Sequence, residues 1–456
     1  MPRRLWAILA VAFGVGLSVL DASIVNVALP TIAREFSVSE SQSIWVVTAY
    51  QLATVMTMLS FSAIANRVGC RRVYVFGLSL FTIASLGCVF ASSFAGLVAA
   101  RTLQGVGAAA VTSINTTLIR FIYPRNRLGR GMGLNATIVA AASVAGPAVA
   151  SLILSMGSWP WLFAINLPIG AVAVTLSTRF LPDNPEKGEG RPFDWRDGVM
   201  NALCFGLFFA LAESFTHRLS SSLILFEALL LLLVGTLFVR SQLHKENPIL
   251  PFDLLRIPIF SFSVATSICS YVAQMAALVA LPFFLQHYLG HSVVRTGLLM
   301  MAWPMITIFT APLAGRLVEH IHAGLMGGVG LLILSLGLYL CSHLLPGASD
   351  LQIVAPLLLS GVGFSLFQSP NNSILVASAP ASRSGSASGM QGTARLIGQT
   401  LGATLVSTLF LFMAPAEGAS MALAVASGFS LLGAGFSFSR LRLPLPDAIR
   451  PRRGKR

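Results

Sequence analysis

Fourteen apolar runs, most within the roughly 17 to 25 residues that a helix needs to cross a bilayer, leave this 456-residue chain few ways to fold. They lie near 5–29, 43–66, 73–92, 95–119, 131–155, 161–181, 197–213, 221–239, 259–287, 293–317, 323–343, 351–377, 386–413 and 418–438. Hydrocarbon offers no water to a free backbone N–H or C=O, so runs of this kind cross it as helices. The seventh run is at the short limit, and Glu213 and Glu227 sit near the ends of the seventh and eighth. Charged residues at 10% and a mean hydropathy of +0.79 stand far from the roughly one quarter charged of soluble domains. The fold class is therefore all-α integral membrane. Leu5–Leu29 is too long for the h-region of a signal peptide, so none is expected. The loops leave no room for a soluble domain. The longest, DNPEKGEGRPFDW (183–195), has the Pro, Gly and charge content of a linker.

The formal charge of +14 raises the possibility of a nucleic-acid partner, which the placement of the charges removes. Among the 30 arginines and lysines, only Arg34, Arg218 and Arg295 fall in segments that an inside N-terminus places outside. Arg101 and Arg395 fall within spans, and all the others lie in the inside segments and the C-terminal tail. This is the bias that sets topology, and it puts both termini in the cytoplasm. Five scattered cysteines form no disulfide framework, and seven histidines show no metal-ligand spacing. None of Lys187, Lys245 and Lys455 lies in a phosphate-cradling loop. No metal or other cofactor is expected.

Asp21 interrupts the first run. At mid-membrane an aspartate costs about 2.5–3.5 kcal/mol to insert, and each Leu, Ile, Val or Phe returns about 0.3–0.6. Leu5–Leu29 holds thirteen of those four types, so the helix inserts in spite of the charge. Asp21 lies nine residues, about 13 Å of helix, below Pro30, and Arg101 lies eight residues in from Ser93 on the outer side. The two charges sit at similar depth. Burial favours the neutral acid and a neighbouring guanidinium favours the carboxylate, a balance suited to reversible protonation. The same pair could instead be a static tie between spans.

The stretch RTLQGVGAAAVTSINTTLIRFIYP also repeats in part. Gly105, Gly107, Ser113, Asn115 and Pro124 match Gly361, Gly363, Ser369, Asn371 and Pro380 at an offset of 256. Gly133, Thr137, Gly146 and Ser151 match Gly389, Thr393, Gly402 and Ser407 at the same offset. Copies eight spans apart share an orientation and are parallel repeats, and transport sites in such proteins lie between the halves. The implied plan is a six-helix half (1–182), a linker with an inserted helix pair (183–258), a second six-helix half (259–439) and a basic cytoplasmic tail (440–456).

Five motifs carry a resemblance to a known family. LDASIVNVALP (20–30) resembles the first-span motif of the fourteen-spanner drug:proton antiporter branch of the major facilitator superfamily, with Asp21 at its acidic position. SAIANRVGCRR (62–72) is similar to the superfamily's loop between spans 2 and 3, and RTLQGVGAA (101–109) to its fourth-span motif with the buried arginine. AGPAVAS (145–151) resembles the antiporter motif and WPWLFAINLPIG (159–170) a motif of the branch. Three features depart from the pattern. Ser62 and Asn66 replace the loop's glycine and aspartate, Ala150 and Ser151 replace a Gly-Gly, and spans 9–14 carry no deep carboxylate.

The resemblance implies the major facilitator fold and proton-coupled export of lipophilic, cationic drugs from the cytoplasm across a bacterial inner membrane, by a monomer whose partners are substrate, protons and lipid. Asp21 and Arg101 would couple the proton. Asn66, Arg67, Gly69, Arg71 and Arg72 would form the conformational-switch loop, and Gly146 and Pro147 belong to the antiporter motif. Asn26, Gln368, Asn371, Asn372 and Arg395 are candidates for the substrate path. The asparagines and Gln368 serve equally well as hydrogen bonds between helices, and Arg395 could meet backbone carbonyls or Asp21. A carrier of one specific metabolite is the first rival. A lipid-processing enzyme is the second, and the chain has no nucleophile or metal constellation for it. A reporter active only outside the cytoplasm, fused after Arg456, is expected to be silent; activity there would mean an odd number of spans.

Overall fold

The computed structural model describes residues 2–123, 128–183, 195–216, 220–243, 245, 252–318, 321–378 and 384–443. Most of the linker and the tail from residue 444, together with Pro124, Arg125, Arg127, Arg218, Glu319, Pro380 and Arg383, lie outside the described residues. The chain divides into two compact units, Met1–Phe238 and Val239–Arg456. The first contains α1 (Pro2–Glu35), α2 (Glu40–Ser43), α3 (Trp45–Val68), α4 (Cys70–Val89), α5 (Phe94–Ile122), α6 (Leu128–Met156), α7 (Trp161–Ala164), α8 (Asn166–Phe180), α9 (Trp195–Thr216) and most of α10 (Ser221–Leu243). The second contains α11 (Pro258–Phe283), α12 (Val293–Met300), α13 (Ala302–Leu317), α14 (Ala323–Ser342), α15 (Asp350–Ala377), α16 (Ser384–Phe412) and α17 (Pro415–Ser439).

Among the described residues, thirteen helical stretches are long and apolar enough to cross a membrane. This is a multi-pass membrane protein. The run expected at 197–213 is not among the thirteen, although it is helical in the 22-residue α9. That helix opens with Arg196, Asp197 and Asn201; Asn201 is buried and donates to the Met56 carbonyl of α3.

Several runs that read as uninterrupted in sequence are broken in space. The second is entered through α2, which Ser39 and Gln42 cap reciprocally. The sixth breaks at Ile165 and the tenth at Met301. Conversely, α1 continues through Pro30 to Glu35, beyond the end expected near residue 29, and α6 and α15 run through Pro147 and Pro370. A proline removes one intrahelical bond, a loss that neighbouring helices can make good inside a membrane protein. Almost none of α10 is buried within the chain, and Leu225, Phe226, Leu229, Leu232 and Leu233 are exposed along it. For a helix apolar all round, the matching solvent is lipid.

Where helices do meet, glycine sets the distance. A Cβ at Gly105 of α5 would fall within 3.0 Å of the Tyr50 carbonyl of α3, and one at Gly107 within 3.0 Å of the α4 backbone at Gly77 and Phe81. In the second unit, Gly361 of α15 stands against the Trp303 carbonyl of α13, and Gly363 against the α14 backbone at Gly330 and Leu334. Lipid is as apolar as leucine, so spanning helices associate by such contacts rather than by the hydrophobic effect. Overpacking costs about 1–3 kcal/mol. Gly105→Ala and Gly361→Ala should therefore lower the melting temperature of the detergent-solubilised protein, whereas Gly235→Ala, with nothing within 4 Å, should leave it unchanged.

Candidate functional site

Asp21 projects from α1 into a cluster built by five more helices, and it is 1% exposed. Arg101 and Gln104 come from α5, Ser85 from α4, Tyr50 from α3, Phe163 from α7 and Asn166 from the first position of α8. Arg101, also 1% exposed, donates from Nη1 to Asp21 Oδ2 at 2.6 Å and to Gln104 Oε1 at 2.5 Å. Its Nε donates to the Val46 carbonyl at 3.0 Å, and its guanidinium carbon stands 4.4 Å from the Tyr50 ring and 5.6 Å from that of Phe163. Because Arg101 occupies the Gln104 oxygen, Gln104 Nε2 faces the other way. It donates to Asp21 Oδ1 at 3.0 Å and to Ser85 Oγ at 2.8 Å. Asn166 Nδ2 adds a further bond to Asp21 Oδ1 at 2.7 Å.

The carboxylate thus accepts three N–H bonds, and its charge is matched by one guanidinium. A buried charge requires both conditions. The sequence placed Asp21 and Arg101 at one depth, and the fold brings them into contact. Sequence reasoning missed Gln104, Ser85 and Asn166 as members of the site. Gln104 was within reach, since residues three apart share a helix face. Ser85 and Asn166 carried no signal except, for Asn166, its place in a quoted motif.

Gly146, from the AGPAVAS stretch, also reaches this region. A Cβ at Gly146 of α6 would collide with Ser23, two residues beyond Asp21 on α1. Asn26, on the same helix, is buried, and its Oδ1 has no hydrogen-bond partner among the described residues. In the loop motif, Gly69 takes φ +106°, which favours glycine, between α3 and α4. Arg71 donates to the Thr178 carbonyl near the end of α8 and pairs with Asp183 at 3.3 Å. The pair is exposed and contributes little by itself. Arg67 is half-buried, with Nη2 unpartnered among the described residues, and Arg72 is exposed. The Asn66 side chain lies outside the described part.

In the second unit, the path candidates do different things. Gln368 donates to the Tyr271 hydroxyl at 3.2 Å. Asn371 is wholly buried; its Nδ2 donates to Ser267 Oγ at 2.7 Å and to the Ser263 carbonyl at 3.3 Å. Its Oδ1 accepts from Arg440 Nη1 at 2.6 Å. Asn371 is therefore a tie between α15, α11 and the end of α17. Asn372 Oδ1 and Arg395 Nε are buried without hydrogen-bond partners among the described residues. Arg440, assigned from sequence to the basic tail, is instead fully buried. It is held by Ser263, Ser437 and Asn371 and has no acidic partner among the described residues. Its charge reaches His322 in the turn before α14. Burial first and Arg440 second hold that ring below the usual histidine pKa. At neutral pH it is uncharged, and its Nδ1 accepts from the Gly324 N–H at 3.1 Å.

The residue pattern of the Major Facilitator Superfamily matches positions 11–403. The chain is 48% identical over 444 residues to the uncharacterized transporter YebQ of Escherichia coli, covering 97% of each. It is 30% identical to the riboflavin transporter RibZ of Clostridioides difficile, over 90% of this chain and 89% of that protein. It is 31% identical to the multidrug resistance protein Stp of Mycobacterium tuberculosis, over 89% of this chain and 76% of that protein. In structure it resembles a D-xylose-proton symporter with a TM-score of 0.72 at 15% identity, covering 97% of this chain and 98% of the symporter.

Removing one partner of a buried ion pair costs about 3–5 kcal/mol, because the other charge is left stranded. Arg101→Met should therefore lower the melting temperature sharply. The double variant Asp21→Asn with Arg101→Met should recover much of the loss, and a double variant no more stable than Arg101→Met would mean that the pair is not what holds these helices.

Proposed function

Because the chain belongs to the Major Facilitator Superfamily, we propose that it is a secondary active transporter that exports lipophilic compounds, cationic drugs foremost, in exchange for protons by alternating access. One observation carries this reading: an ionisable carboxylate buried in a spanning helix and matched by a single guanidinium. A group so costly to bury marks an ion or substrate pathway by default. The identity to a multidrug resistance protein supports the choice of drugs.

The coupling runs through the pair. A proton on Asp21 cancels the attraction to Arg101 and leaves the cation held by the Val46 carbonyl, Gln104 Oε1 and the Tyr50 ring. α1 and α5 then meet under a different electrostatic load, so the protonated and charged forms favour different arrangements of the helices. Gly146 keeps α6 close enough to α1 to feel that change. The antiporter motif is thereby tied to the coupling residue.

The proposed layout is fourteen spans, with α9 as the seventh. Two six-helix repeats flank an inserted pair, and both termini lie on the cytoplasmic side of a bacterial inner membrane. The matching roles of Gly105 with Gly361 and of Gly107 with Gly363 support the repeat. Asn26, Gln368, Asn372 and Arg395 remain the better path candidates, since Asn371 is committed to Arg440.

Inverted membrane vesicles under an imposed pH gradient provide the test, with a panel of fluorescent cations and anions. Wild type should accumulate lipophilic cations. Asp21→Asn is near-isosteric and leaves Arg101 to the Val46 carbonyl, Gln104 Oε1 and the Tyr50 ring. With the guanidinium charge unpaired, the variant should melt lower than wild type, yet it should express and bind substrate while losing pH-driven accumulation; normal proton-driven transport by this variant would refute the assignment. The identity to a riboflavin transporter favours a second reading, a carrier of one defined metabolite. Vesicles that ignore every cation while accumulating a single metabolite would establish it.

A further inference from the structure

Asn166 sits where the three-way grip on Asp21 has its one loose end. Of the groups bonded to the carboxylate, Arg101 can only donate. Gln104 is fixed as a donor, because its Oε1 is already taken by Arg101 Nη1 at 2.5 Å. Turning it over would set its NH2 against a guanidinium N–H. Asn166 is constrained at one end only. Its Nδ2 donates to Asp21 Oδ1 at 2.7 Å and to Ser85 Oγ at 3.4 Å. Its Oδ1 is buried with no hydrogen-bond partner among the described residues.

We propose that Asn166 is the proton-dependent partner of Asp21, donating to the carboxylate and turning its amide over to accept from the carboxylic acid. The inference rests on the proton-coupling reading of Asp21. A proton taken from water adds to Asp21 Oδ1, and the new O–H faces donors. Rotation about the Asn166 Cβ–Cγ bond brings the free Oδ1 onto it and breaks only the bonds of Nδ2. When the proton returns to water, the rotation reverses. No other covalent bond changes. Asn166 begins α8 immediately after the break at Ile165, and α8 packs against α1 and α4. The seating of this amide is therefore felt at a joint between helices.

Infrared difference spectroscopy of the purified full-length protein across a pH titration reads this directly. A protonated carboxyl whose O–H has no acceptor absorbs at a higher C=O frequency than one that donates a hydrogen bond. Wild type should show a hydrogen-bonded carboxyl band that Asp21→Asn removes. In Asn166→Leu, similar in size but apolar, the band should persist and move to higher frequency. A band unchanged in Asn166→Leu would overturn the role of Asn166 while leaving the coupling role of Asp21 intact. A wild-type protein with no carboxyl band assignable to Asp21 at any pH would overturn both. Should Asn166→Leu not fold, wild type labelled with carbon-13 asparagine decides. An asparagine amide C=O change that appears together with the carboxyl band supports the proposal, and its absence overturns it.

Discussion

A carboxylate and a guanidinium in contact, both buried, set the terms for the first unit of this protein. In a medium of low dielectric either charge alone is costly unless neighbouring dipoles compensate it, and the pair is stable when its remaining lone pairs and N–H groups are also satisfied. That demand recruits the neighbouring helices. The Val46 carbonyl of α3, Ser85 of α4, Gln104 of α5 and Asn166 of α8 all bond to the pair or to each other. α1 is thereby held by polar contacts that converge on one carboxylate.

The second unit buries a cation that has no acidic partner among the described residues. Arg440 is buried among two serines and an asparagine, and hydrogen bonds to neutral oxygens substitute for a counter-charge. Such a cluster cannot be discharged by a proton near neutral pH, since a guanidinium stays charged. It behaves as a fixed tie between α11, α15 and the end of α17. The two units thus contain one buried cation paired with a carboxylate and one held by neutral groups.

Polar clusters fix which helices meet, and glycines fix how closely. Gly107 on Gly77 and Gly363 on Gly330 bring backbones together with no side chain between them. Contacts of this kind are smooth, and in lipid their energy comes from van der Waals packing. Helices so packed meet without interlocking side chains, whereas the ion pair and its donors join α1, α4, α5 and α8 through specific polar contacts.

Thirteen of the fourteen expected spans and their order were legible in the sequence because they depend on quantities that add along the chain, hydropathy and length. The i, i+3 relation between Arg101 and Gln104 was legible for the same reason. The breaks at Ile165 and Met301 were not, nor was the passage of α1 through Pro30, because neighbouring helices decide whether a backbone bond must be kept. Asn166 and Ser85 lie 145 and 64 residues from Asp21 along the chain, and no local pattern predicts that their side chains converge on it. Arg440 is the clearest case. As a basic residue after the last apolar run it belongs with the tail, yet the fold closes three helices around it, and three neutral side chains there make burial of a cation tolerable. The sequence by itself determined that this chain lies in a membrane and which charges, Asp21, Arg101 and Arg395 among them, fall within its apolar runs; tertiary structure decided which of those charges are paired, because pairing depends on contacts between helices remote in the chain.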